Sequence, residues 1–141
     1  MLSAYRDNAV TNGVEFSLSA MITPSITFSG NYTYCSSESE KDGETFRTVQ
    51  IARNKFNLDL SYDLEKFHFN IHGYYSGPRL RWRGDKIMPA YFRTDLAAKA
   101  HINDHWSIFG RVENIFNVDI VEGLGYKQPG VNAIAGIEWQ F

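Results

Sequence analysis

Seven stretches of about ten residues alternate apolar and polar side chains with a period of two. From Val14 one face reads Val14, Phe16, Leu18, Ala20, Ile22, against Glu15, Ser17, Ser19 and Met21. From Ile26 it reads Ile26, Phe28, Gly30, Tyr32, Tyr34, against Thr27, Ser29, Asn31, Thr33 and Cys35. The third sets Phe56, Leu58, Leu60 and Tyr62 against Lys55, Asn57, Asp59, Ser61 and Asp63. The fourth sets Phe67, Phe69, Ile71, Gly73 and Tyr75 against His68, Asn70, His72 and Tyr74. The fifth sets Phe92, Thr94, Leu96, Ala98, Ala100 and Ile102 against Arg93, Asp95, Lys99 and His101. The sixth sets Trp106, Ile108, Gly110 and Val112 against Ser107, Phe109, Arg111 and Glu113. The last sets Val131, Ala133, Ala135, Ile137, Trp139 and Phe141 against Asn132, Ile134, Gly136, Glu138 and Gln140. Successive side chains on a strand point to opposite faces, so this is a strand pattern throughout, and no amphipathic helix competes with it.

The links between stretches alternate in length. Thr23-Pro24-Ser25, Leu64-Glu65-Lys66 and Asn103-Asp104-His105 are tight turns, whereas 36–52, 77–90 and 117–130 are long and polar. Short, long, short, long predicts an all-β, antiparallel up-and-down meander of about seven long strands with one plain rim and one elaborated rim. Transmembrane β-barrels carry this asymmetry, and about ten tilted residues span a bilayer. Trp106, Trp139, Phe141, Tyr62 and Phe67 fall near the short-turn rim, and Tyr34, Tyr75 and Phe92 near the other. Amphipathic rings favour those depths. The expectation is therefore a wall of transmembrane β-barrel type with outer-membrane lipid against its apolar face.

Composition leaves that reading intact. The chain has 141 residues, 43% hydrophobic, 15% aromatic and 21% charged, enough for one ordinary domain. A formal net charge of -2 argues against nucleic-acid binding through phosphates. The mean hydropathy of -0.34 has a soluble look, but the polar half of a barrel wall dilutes the average. The single cysteine, Cys35, permits no internal disulfide and no Cys-based zinc site. The first seven residues lack an apolar h-region, so no secretory signal is expected.

Several residues invite chemistry. His68 and His72 have the H-x-x-x-H spacing of a helical metal pair. On a strand they lie about 13 Å apart, too far for one ion, so polar-face histidines are expected and no metal. Arg93, Asp95, Lys99, Arg111, Glu113 and Glu138 share the polar parity on three consecutive strands. Charges facing lipid cost about 2 to 4 kcal/mol at the midplane, which sets this face away from lipid. Cross-strand charge pairs are one reading of that ladder. The run 36–43 reads as a mobile solvated loop. No Ser/His/Asp, Cys/His or phosphate-cradling constellation occurs, so neither an enzyme nor a cofactor is expected.

The C-terminal third is more specific. Arg111-Val112-Glu113-Asn114-Ile115-Phe116-Asn117, then Gly125-Tyr126-Lys127-Gln128-Pro129-Gly130, then Trp139-Gln140-Phe141 resembles the end of TonB-dependent outer-membrane receptors. Asn12-Gly13-Val14-Glu15, Tyr75-Ser76-Gly77 with Arg79, and Tyr91-Phe92-Arg93-Thr94-Asp95-Leu96 resemble further strand signatures of that family, in family order. The resemblance implies that 1–141 is the C-terminal segment of a 22-stranded barrel in the bacterial outer membrane, and so a partial transmembrane β-barrel. The N-terminal plug domain and the earlier strands are then absent. It implies transport of an iron-siderophore or cobalamin-type (corrinoid) ligand. It also implies coupling to the TonB energy-coupling complex through the missing N-terminal part. Arg79, Arg81, Trp82, Arg83 and Tyr126 would lie in extracellular loops that meet the iron chelate. The charged ladder would contact the plug, a second reading beside cross-strand pairing. Trp139 and Phe141 would be the signal read by the outer-membrane assembly machinery. Two alternatives stand beside this: a small autonomous structural outer-membrane barrel, and a soluble lipocalin-like binding barrel.

Overall fold

The structure, a computed structural model, describes residues 8–41, 43–81, 86–122 and 126–141. Its strands in chain order are β1 (Asn8–Thr23), β2 (Ile26–Lys41), β3 (Glu44–Arg47), β4 (Asn54–Asp63), β5 (Phe67–Ser76), β6 (Arg79–Leu80) and β7 (Ile87–Met88). They continue with β8 (Tyr91–His101), β9 (Trp106–Glu113), β10 (Val121–Glu122), β11 (Tyr126–Lys127) and β12 (Asn132–Trp139). The main sheet runs β1-β2-β4-β5-β8-β9-β12, every neighbour antiparallel, with β3 attached to β2. The seven alternating stretches are those seven strands, joined as a meander.

The tight turns fall where the sequence places them. Asn103 closes one: its Oδ1 accepts the backbone N–H groups of His105 and Trp106, both at 2.9 Å. Strands β4, β5 and β8 have 10, 10 and 11 residues. At about 3.3 Å per residue they match a tilted crossing of a bilayer core.

The register gathers the polar side chains of every strand on one face, interrupted by Met21, Phe109 and Ile134. Glu15↔Thr33, Asn31↔Asn57, Asp59↔His72, His68↔Lys99, Ala97↔Arg111 and Ser107↔Glu138 are cross-strand partners on it. The opposite face carries Phe16, Leu18, Leu58, Leu60, Ile71, Ile108 and Ile137, all exposed. Among the described residues the buried hydrophobic side chains are Ala52, Met88 and Ile120 alone. A sheet with so little apolar core and a continuous apolar face is built for a non-aqueous neighbour.

No pairing joins β1 to β12, so among the described residues the sheet is open with two edges. Both a small autonomous barrel and a lipocalin-like barrel need those edges sealed, and the described residues do not seal them.

Two expectations are corrected. The 36–43 run is not a solvated loop: β2 continues through Lys41 and turns back into β3. A ladder of hydroxyls holds this extension, Thr11 Oγ1 to Ser37 Oγ at 2.9 Å, Ser37 Oγ to Thr48 Oγ1 at 2.8 Å and Ser39 Oγ to Thr48 Oγ1 at 2.9 Å. The first strand likewise starts at Asn8, six residues before its apolar alternation, because it pairs with that extension as far as Glu40.

Gly136 lies opposite Phe109, whose ring crosses over it. A Cβ there would stand 2.5 Å from Phe109 Cζ. We expect Gly136→Val to cost about 1–3 kcal/mol through overpacking. The check is the fraction of chain showing the heat-modifiable electrophoretic migration of a folded barrel. Adding Phe109→Ala should restore most of the loss, and a double variant as poor as the single one would refute the packing account.

Candidate functional site

The polar face holds one connected charge network. Arg93 and Asp95 are two apart on β8 and so share a face. Arg93 grips the carboxylate with Nε on Oδ1 at 2.8 Å and Nη2 on Oδ2 at 3.0 Å. Arg93 Nη2 also reaches Glu113 Oε2 at 3.1 Å, and Arg111 Nη2 forms an ion pair with Glu113 Oε1 at 3.0 Å. Two guanidiniums and two carboxylates thus neutralise one another. Asp95 is the most enclosed, its side chain 10% exposed. Further along, Lys99 Nζ reaches over β9 to Glu138 Oε2 at 2.6 Å. All six charges of the sequence-derived ladder therefore stand together on one face and pair across strands.

The histidines pair separately. His68 Nδ1 meets Asp63 Oδ1 at 2.7 Å and His72 Nδ1 meets Asp59 Oδ1 at 3.0 Å. Each aspartate is its histidine's direct cross-strand partner. Among the described residues no group of three or more metal-ligating side chains converges.

Above the wall the connections have their own order. Asn114 follows β9 with φ 51°, a left-handed conformation that asparagine tolerates. It is 2% exposed and its backbone N–H donates to Asp95 Oδ1 at 2.8 Å. Its side-chain amide brackets Val118, accepting from the N–H at 2.9 Å and donating to the carbonyl at 3.0 Å. The chain then pairs β10 with β11, which leaves Tyr126 74% exposed. Arg79–Leu80 and Ile87–Met88 form the second small ladder, β6 with β7.

The five loop residues fare differently. Tyr126 opens β11 with its side chain exposed. Arg81 is half-buried, its N–H bonded to Lys86 O at 2.8 Å. Trp82 and Arg83 lie outside the described residues. Arg79 corrects the sequence reading: it is 7% exposed and its guanidinium is spent on Ser76 Oγ and the Val121 carbonyl. It is an internal tie, since a side chain reaching acceptors in another connection loses its access to solvent. Arg47 and Asn114 escaped sequence reasoning. Arg47 Nη2 donates to the carbonyls of Ile51 at 3.1 Å and Pro78 at 2.8 Å. On the short-turn rim Trp139 packs against Trp106 and Phe141, with ring centroids 6.2 and 4.2 Å away.

The arrangement sets a charge-paired polar face against an apolar one, with tied connections along one rim. The sequence model of "TonB dependent receptor-like, beta-barrel" matches residues 2–115. An iron-regulated outer membrane virulence protein of Vibrio cholerae serotype O1 is 28% identical over 143 residues, covering 96% of this chain and 22% of that protein. The chain thus spans about a fifth of that relative's length. Among solved structures, the FpvAI–pyocin S2 complex superposes with TM-score 0.77 at 19% identity, over 94% of this chain and 19% of that one. The siderophore receptor PiuA of Acinetobacter baumannii gives 0.76 at 18%, over 93% and 22%. The ferripyoverdine receptor of Pseudomonas aeruginosa, bound to ferripyoverdine, gives 0.76 at 19%, over 94% and 20%.

Proposed function

The chain belongs to the TonB-dependent receptor β-barrel family, and on that footing we propose that it forms part of the wall and mouth of an outer-membrane receptor that imports a ferric siderophore. The observation that carries this is the two-faced antiparallel sheet, unbroken in order over seven strands. An iron chelate is favoured over a corrinoid because the Vibrio relative is iron-regulated by name and a solved neighbour holds ferripyoverdine. The family is one of transport receptors, and binding with gated passage is the work expected of it.

In this reading the apolar face meets outer-membrane lipid and the polar face lines the lumen. The paired charges Arg93, Asp95, Lys99, Arg111, Glu113 and Glu138 would offer a plug domain a neutral, hydrogen-bonding surface. Energy would come from the TonB complex through that plug. The 1–141 segment would be the last part of the barrel. Arg81, Trp82, Arg83 and Tyr126 would meet the chelate. Trp139 and Phe141, at the short-turn rim, would present alternate side chains to the assembly machinery.

The test is uptake of radioactive iron by iron-starved cells, presented as hydroxamate, catecholate and citrate chelates. Deleting the gene should abolish uptake of one class. Arg81→Ser or Tyr126→Ala should weaken binding of that chelate without lowering the amount of receptor in the membrane. Phe141→Ala should lower the amount without changing affinity, and more than Phe67→Ala does. Unchanged uptake of every chelate in the deletion strain would overturn the reading.

A further inference from the structure

Two of the long connections meet at one side chain. Arg79 opens β6, between the wall strands β5 and β8, and is 7% exposed. Its Nη1 donates to Ser76 Oγ at 3.3 Å and its Nη2 to the Val121 carbonyl at 2.8 Å. The guanidinium carbon sits 5.2 Å from the centroid of the Tyr91 ring. Ser76 and Tyr91 are cross-strand partners at the rim of the wall. Val121 opens β10, in the connection between β9 and β12. One planar group therefore joins the wall, its own connection and a second connection 42 residues away.

The far side of that second connection is also fixed. Asn114 brackets Val118, its N–H is anchored on Asp95, and Ile120 beneath is 1% exposed. Residues 118–122 are thus held at both ends, by Asn114 and by Arg79. A guanidinium suits the second point because it lies flat over a ring while its N–H groups donate in two directions. An ammonium offers a compact charge without that planar fork.

We propose that Arg79 is a positioning residue: it docks residues 118–122 onto residues 77–81, and so sets the separation between the two connections that frame the mouth. Only the purpose of the mouth rests on the receptor reading; the docking stands without it.

The experiment measures that separation with no ligand present. Nitroxide labels go on Ile87→Cys and Tyr126→Cys, two positions 67% and 74% exposed, in a Cys35→Ser background. The protein is kept in outer membranes of cells expressing the native gene. With Arg79 intact, electron–electron dipolar spectroscopy should give one narrow distance population. Arg79→Gln, Arg79→Lys and Tyr91→Leu should each add a second, longer population. Lysine keeps the charge without the fork, and Tyr91→Leu keeps the charge without the ring. Heat-modifiable migration, which reports the wall, should not change in any of them. A distribution that stays narrow in Arg79→Gln overturns the proposal. So does a full rescue by Arg79→Lys, which would make charge alone the requirement. Iron uptake is scored separately, so an unchanged distance sinks the docking and leaves the receptor reading standing. Absent uptake with the expected distances does the reverse.

Discussion

Arginine in place of Ile71 or Leu58 should remove most of the inserted protein, while arginine in place of Asn57 should leave it nearly unaffected. Leu58 and Asn57 are consecutive on β4, so they differ in face and hardly at all in depth. Leu58 lies opposite Gly30 on one side and Gly73 on the other, in the middle of the apolar face. A guanidinium there is held in hydrocarbon, at about 2–4 kcal/mol near the midplane. Asn57 instead points to the polar face, where its Nδ2 donates to Asn31 Oδ1 at 2.8 Å. Arginine at that point loses one neutral hydrogen bond, worth about 1 kcal/mol, and stays in water. The measure is the amount of heat-modifiable, urea-resistant protein in outer membranes. Equal losses at Leu58 and Asn57 would reject the assignment of faces.

The faces were legible in the sequence because a period of two admits no ambiguity when one side must be apolar. Each of the seven strands therefore carried its own evidence, and a one-residue slip would have exposed every charge on β8 to lipid. The rims were not legible. The ladder of Arg79 and Leu80 with Met88 and Ile87 is two residues long, too short for any periodicity to show. The extension of β2 from Ser36 to Lys41 is polar on both faces, so its alternation vanishes although its backbone pairing does not. Arg79 looked like an exposed cation because nothing local reveals a carbonyl 42 residues ahead. Asn114 gave a partial signal. An asparagine directly after a strand marks a left-handed turn, but its partner Asp95 follows only from the register of β8 with β9.

Asp95 should be the costliest charge to remove from the polar face. Its carboxylate accepts from Arg93 twice and from the Asn114 backbone, and lies 4.0 Å from Arg111. Asp95→Ala leaves two guanidiniums sharing Glu113 and a buried N–H without an acceptor. Breaking an enclosed pair by deleting one partner costs about 3 kcal/mol, roughly a 150-fold change in a folding equilibrium. Asp95→Asn should recover part of this, since an amide oxygen still accepts from Asn114 while the charge is gone. Glu138→Gln makes the contrast. Its pair with Lys99 is the shorter of the two, yet the side chains are 51% and 34% exposed. Water replaces such a partner at little cost. Protease-resistant protein in native membranes, followed through a urea series, should fall steeply for Asp95→Ala, less for Asp95→Asn and hardly for Glu138→Gln. A loss for Glu138→Gln as large as for Asp95→Ala would mean that pair length governs this wall. The expected order instead makes enclosure decisive, with Asp95 the point where the charges of the polar face and the turn at Asn114 are fastened together.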